Sequence, residues 1–402
     1  MTDWDAPVPA SEVKAAIRVA NGAAGAGGSG EVAESSGFTM SSLEAGAMPS
    51  LESADGKSAA DRLDLLDAAL ADVEDKDSAA QVVRGAREIL ERDGEPQDGY
   101  TMRQLVALEA VIQTDGSAPS LTVKKGFIDV KAPAVGDWKF ALIKFESLIQ
   151  QVISCVGRLN VPINPGFAGT VFAITPELVV TNRHVLEAIA RPDDKGGWTL
   201  EWPDDTVIDF TAEFGLPTHA DYRVIGVEYF GADPINGTVN FAHLDMAILR
   251  MVPVGDPKPI GTVTLEQNPA ALYHGQGIYA VGFPAPPMKW FGPGKPPPRF
   301  ETADVVNSVF DRKLGVKKLA PGRVMQLPGQ MPGDEGRKWA IAHGCSTLAG
   351  NSGSALVDLD DNGGRVIGLH FAGISREQNY GHHFAALHKI VAKYGASYAQ
   401  DQ

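Results

Sequence analysis

From about residue 138 onward the chain consists of short runs rich in β-branched and aromatic residues, each stopped by Gly, Pro, Asn or Asp. They read VISCVGRLNV, GTVFAI, LVVT, WTLEW, YRVIGVEYF, MAILRM, GIYAVGF, WAIAHG, SALVDL and VIGLHFAG. Many short strands at such spacing restrict this part of the chain to an all-β barrel or sandwich. WKFALIKFESLIQQ (138–151) reads as a helix leading into it, and FAALHKIVAKYGA as an amphipathic helix closing it. The insertion 284–322, which includes FPAPPMKWFGPGKPPPRF, is Pro-rich and is expected to be a long surface loop with some extended structure.

The amino-terminal part has a different character. Residues 1–57, with NGAAGAGGSGEVAESSG at their centre, bury too little apolar area to offset their ordering entropy, and read as a flexible arm. Residues 58–115 read as a small helical module. Leu66, Leu70 and Val73 recur at helical spacing, as do Val82, Val83, Ala86 and Leu90. Thr101 and Gln104 form a capping box ahead of a further helix, Met102 to Gln113. The module carries no chemistry of its own and reads either as a solvated helical pair or as a regulatory unit docking an activating protein partner. A linker at 116–140 follows, and the β domain is expected over 141–402.

Net charge excludes some partners. At −15 over 402 residues, the chain lacks the basic face that nucleic acid or an anionic membrane would need. The start has two early acids and no apolar core of a leader, and no run reaches the ~18 apolar residues of a membrane helix, so a cytoplasmic protein is expected. Two cysteines, Cys155 and Cys345, imply no disulfide framework and read as free buried thiols. His243 and the His382-His383 pair lack metal-ligand spacing to nearby Cys or acids and read as surface or strand residues, so no metal or cofactor is expected.

Three local strings carry the chemistry. AHGCSTLAGNSGSALVD (342–358) places Ser352 between two glycines in a tight turn flanked by apolar runs. A serine hydroxyl needs a base to take its proton, and the base needs an acid to fix its tautomer. His184 lies just past a strand end in GTVFAITPELVVTNRHV, where it can be held rigidly. Asp245 immediately precedes the apolar strand MAILRM, where an imidazole partner would offset its desolvation.

The order His184, Asp245, Ser352 and the flanking strings resemble the chymotrypsin-like (trypsin-fold) serine peptidases. GTVFAITPELVVTNRHV resembles their histidine segment, LDMAILRM their aspartate segment, GNSGS their nucleophile turn, and VIGLHFAG and YAVGFP two of their strands. The resemblance spans about residues 150–396 and implies a double six-stranded β-barrel with a carboxy-terminal helix. It implies Ser352 as nucleophile, His184 as general base and acid, Asp245 as its orienting group, and the Gly350 and Ser352 N–H groups as the oxyanion hole. The α/β-hydrolase alternative needs G-x-S-x-G and the order Ser, Asp, His, neither of which occurs here.

Specificity is read the same way. Ser346 stands where trypsin-like members carry the acid that selects Lys or Arg. Thr347 and His370 resemble pocket residues of the bacterial glutamyl endopeptidases, which implies cleavage of protein or peptide substrates after Glu, and less well after Asp. The opposing reading is a catalytically silent scaffold on the same fold. Its mark would be a missing triad member, and none is missing.

Overall fold

The computed structural model describes residues 59–70, 76–90, 119–162, 166–217, 219, 221–235, 239–285, 313–348, 350–374 and 378–399. The amino-terminal arm, Val73, the Thr101 capping box with its helix, and positions 286–312 of the Pro-rich insertion lie outside these residues. Two helices, α1 (Ala59–Leu70) and α2 (Lys76–Leu90), pack against each other. They bury Leu66 and Leu70 from one helix and Val82 and Ala86 from the other, as the helical spacing predicts.

Strands β1 (Leu121–Lys124) and β2 (Phe127–Ile128) form a hairpin, followed by helices α3 (Lys139–Lys144) and α4 (Glu146–Ser154). The single helix expected from 138 is thus broken at Phe145, whose φ of −107° and ψ of 16° leave the helical region. Next come β3 (Val156–Asn160), β4 (Phe167–Thr175), β5 (Leu178–Thr181), helix α5 (Arg183–Ile189), β6 (Ala190–Pro192) and β7 (Trp198–Leu200). They are followed by β8 (Val207–Asp209), β9 (Tyr222–Phe230), β10 (Ala247–Pro253), β11 (Thr264–Leu265), β12 (Gly277–Gly282), β13 (Lys318–Gln326) and β14 (Ala340–His343). The chain finishes with β15 (Ala355–Asp358), β16 (Arg365–Ile374), β17 (Gln378–His383), helix α6 (Phe384–Val391) and β18 (Ser397–Tyr398).

Six strands close the first barrel in the order β10-β5-β4-β3-β8-β9. Six more run β12-β15-β16-β17-β14-β13, and the β12–β13 pairing closes them into a second. The fold is therefore the mainly β, chymotrypsin-like double barrel with a carboxy-terminal helix. Period-2 alternation explains how one strand serves two cores. On β10, Ala247, Leu249 and Met251 fill the first barrel, while Ile248, like Met246 just before the strand, belongs to the cluster shared with the second. On β12, Ile278 and Ala280 fill the second barrel and Tyr279 and Val281 face that same shared cluster. Both faces are buried, so these strands read as continuous apolar runs.

The stretch 116–140 departs from the linker expected there. Residue Leu121 pairs with Leu319 on β13, and Val123, Val135 and Trp138 are buried in the shared cluster. Turn-forming residues marked the segment as loop, but its few apolar side chains find a sheet edge distant in sequence. Residues 318–322, expected within a loop, form the first half of β13. Among the described residues, no helix is long and apolar enough to cross a membrane.

Candidate active site

His184 lies in the first turn of α5, directly after β5. Its neighbour Arg183 is buried, donates to the Gly231 carbonyl and, at 2.9 Å, to Glu187, and faces the rings of Trp198 and Phe230. The turn carrying the histidine is thus fixed before any functional contact is made. Asp245 closes on it with both carboxylate oxygens. Oδ1 accepts from the His184 backbone N–H at 2.9 Å, and Oδ2 accepts from Nδ1 at 2.6 Å. That bond puts the imidazole proton on Nδ1 and leaves Nε2 as the free lone pair.

Electrostatics follow from the same contact. Burial alone would lower the His184 pKa, but the charge and hydrogen bond of Asp245, with Glu187 behind, carry it above the ordinary imidazole value. Burial would likewise raise the Asp245 pKa, and His184 outweighs it, so the carboxyl stays ionised.

Ser352 comes from the second barrel, in the turn before β15. Gly350 and Gly353 on either side both have φ of +90°, a backbone that glycine adopts cheaply. A Cβ on Gly353 would sit 2.0 Å from the Thr170 carbonyl, and one on Gly350 2.5 Å from the Phe283 carbonyl. The turn is tied to β4 of the first barrel: Thr170 N–H donates to the Ser352 carbonyl at 2.8 Å, and its hydroxyl donates to the Gly350 carbonyl at 2.9 Å. Gly353 N–H in turn donates to the His370 carbonyl at 3.0 Å. Among the described residues, no hydrogen bond joins the Ser352 hydroxyl to His184, and the Gly350 and Ser352 N–H groups have no acceptor.

His370 and His343 form a buried pair at 3.2 Å. The Cys345 N–H donates to His343 Nδ1 at 3.3 Å, so the His343 proton sits on Nε2 and is given to His370 Nδ1. His370 therefore carries its own proton on Nε2. Burial first, and the nearby His184 second, push the His370 pKa down to about 3, and burial holds His343 well below its ordinary value.

Thr347 is also committed. Asn379 Nδ2 donates to the Cys345 carbonyl at 2.7 Å, which fixes Asn379 Oδ1 as an acceptor, and the Thr347 hydroxyl donates to that oxygen at 2.7 Å. Its proton is thus already used, and the hydroxyl has acceptor capacity left. Four participants were invisible in the sequence: Thr170, His343, Asn379 and His382, the last of which accepts the Asp245 N–H at 2.9 Å. Of the surface and strand alternatives for His382 and His383, the strand one holds, and both are buried. Cys155 and Cys345 are free and buried in separate clusters. Among the described residues no cluster of His, Cys, Asp or Glu is arranged to hold a metal ion.

Two six-stranded barrels, with a His–Asp pair on one and a glycine-bracketed serine turn on the other, define a serine endopeptidase of the chymotrypsin-like class. The sequence profile of the trypsin-like peptidase domain matches residues 169–369, and a probable serine protease of Lysobacter enzymogenes is 32% identical over 317 residues, 73% of this chain and 76% of that protein. The chain belongs to the trypsin-like peptidase family. Crystal structures similar to it include the Rv3671c protease of M. tuberculosis H37Rv in an inactive form, at 18% identity over 64% of this chain and 96% of that one, with a TM-score of 0.36. Deg5 is another, at 19% identity over 65% and 98%, with a TM-score of 0.36.

Proposed function

We propose that His184, Asp245 and Ser352 act as one catalytic triad. The observation carrying this reading is the two-point grip of Asp245 on His184, which leaves Nε2 as a free base. Ser352 Oγ attacks the scissile carbonyl and gives its proton to Nε2, forming a tetrahedral intermediate. His184 then returns the proton to the leaving amine, and water hydrolyses the acyl-enzyme by the reverse sequence. The unpaired N–H groups of Gly350 and Ser352 stabilise the oxyanion, an effect in which each donor typically contributes about 10²–10³ in rate. Substrate binding brings the serine into hydrogen-bond reach of the base, a contact that often tightens only in the Michaelis complex.

The proposed preference is for Glu, and less for Asp, on the acyl side of the cut bond. Its support is the resemblance of Thr347 and His370 to the pocket residues of the glutamyl endopeptidases and the neutrality of the buried His370 ring, which also makes a hydrogen bond to the Tyr380 backbone. Thr347, its proton committed to Asn379, shapes the pocket wall, and His370 is proposed to meet the substrate carboxylate in place of its Tyr380 backbone contact. Peptide-library profiling tests this. Cleavage after Glu that falls in His370→Ala supports it. Equal cleavage after Leu or Arg, unchanged in that variant, overturns it. The helical pair α1–α2 is proposed as a regulatory module that docks an activating protein. Equal activity of the full chain and of a chain starting at residue 119 would refute that role.

A further inference from the structure

His382 sits on β17, opposite Ala340 of β14 and Leu369 of β16, and is fully buried. Its Nε2 lies 2.9 Å from the backbone nitrogen of Asp245. A peptide N–H only donates, so Nε2 is the bare lone pair and the proton resides on Nδ1. Nδ1 has no hydrogen-bond partner although it is buried. A buried donor left unmet is costly, and an apolar side chain here would avoid that cost. The histidine is therefore not explained by packing. Its one polar contact is the one to Asp245.

The ring is also oriented with care. Phe371 stacks on it at 4.2 Å and 15°, and Trp339 meets it edge-on at 6.0 Å and 77°. The Trp339 indole is itself pinned to the Phe241 carbonyl at 2.6 Å. Burial pushes the imidazole pKa down to about 4, so the acceptor persists at neutral pH.

The polar atoms of Asp245 are thereby all engaged. Its carbonyl accepts from Asn182 at 2.9 Å, its two carboxylate oxygens accept from His184, and its N–H goes to His382. The first three contacts come from the first barrel. The last crosses to the second, the barrel that carries Ser352.

From this geometry we infer that His382 is a positioning residue: by accepting the Asp245 N–H across the seam, it sets the acid, and through it the His184 base, relative to the serine turn. The inference rests on the triad reading given above. Without the acceptor, a buried N–H is left unpaired, the Asp245 backbone tilts to relieve it, and the carboxylate loses its two-point grip.

The test replaces the ring without its acceptor, His382→Phe, and restores an acceptor at the same reach, His382→Gln. In the full chain, His382→Phe is expected to keep its fold by circular dichroism and lower kcat by about tenfold or more with KM within about twofold. The acid limb of its pH profile moves to lower pH, because Asp245 supports the imidazolium less. Besides Asp245, the charged and titratable groups acting on His184 are Glu187 and His370, and neither is changed. His382→Gln is expected to recover most of the loss. A folded His382→Phe with unchanged kcat and acid limb, or with a lowered melting temperature alone, overturns the inference. Nitrogen-15 NMR of the unmodified protein decides it even if His382→Phe does not fold. The Nδ1–H tautomer of His382 coupled to the Asp245 amide supports the proposal, and the Nε2–H tautomer or a charged ring overturns it. Full activity in Ser352→Ala would instead refute the triad and leave the NMR result standing.

Discussion

Thr170 and Gly350 belong to different barrels, and the Thr170 hydroxyl donates to the Gly350 carbonyl at 2.9 Å. The same hydroxyl accepts from the Phe283 N–H at 3.2 Å, and the Thr170 N–H holds the Ser352 carbonyl at 2.8 Å. One side chain of β4 thus clamps the serine turn against the barrel that supplies the histidine and the aspartate.

Thr170→Val keeps the shape and removes the hydroxyl, stranding a part-buried acceptor and a buried donor. Such losses cost about 1–3 kcal/mol each. The expected result is a lowered denaturation midpoint together with a fall in kcat/KM of about tenfold, since the proposed oxyanion donors sit on the loosened turn. Urea titration and steady-state kinetics on the same preparation measure both. Loss of stability with unaltered kcat/KM would show that the clamp does not reach the oxyanion donors.

The pH dependence follows from the His184–Asp245 contact. In the proposed mechanism catalysis needs neutral His184, whose pKa is raised above the ordinary 6.5, so activity is expected to be lost as pH falls through that raised value. In Asp245→Asn the lifting charge is gone and burial dominates, so the acid limb moves below 6.5. The wrong tautomer is expected to lower kcat by about 10⁴-fold in such a variant. A kcat/KM profile between pH 5 and 9 for both proteins checks the direction of the shift.

Acid should also unfold this protein early. His370 is pushed down to about 3, and His382 and His383 to about 4, each by burial first, while His343 lies well below its ordinary value. An unfolded histidine takes a proton near pH 6.5, and these folded ones refuse it. Their contribution is therefore present above 6.5 and lost as pH falls from 6.5 toward 4, at up to about 1.4 kcal/mol per pH unit for each histidine. Among the histidines, His184 acts in the opposite sense, one against four. Melting temperature should drop between pH 7 and pH 5; a flat or rising trend would mean these rings are not buried neutral.

What the sequence conveyed and what it hid divide along chain distance. Ser352, His184 and Asp245 each sit in a short string whose own turn or strand end presents the side chain, so their residue types and order were legible. The strands were legible from their β-branched runs. By contrast, β1 joins the second barrel because Leu121 meets Leu319, a pairing that no local pattern encodes. His382 reads as an ordinary strand residue until register places it opposite Ala340 and Leu369, beneath Asp245. Thr347 is a further case: the family resemblance placed it at the substrate pocket, and Asn379 on β17 takes its proton.

The most direct measurement is labelling with a fluorophosphonate, followed by mapping of the adduct by mass spectrometry. A serine activated by His184 reacts and becomes phosphonylated on Oγ. The expected result is a single adduct on Ser352 in the full chain, none in Ser352→Ala, and labelling slowed by about 10³-fold or more in His184→Ala. An adduct on another residue, or labelling of Ser352 that persists undiminished without His184, would contradict the triad.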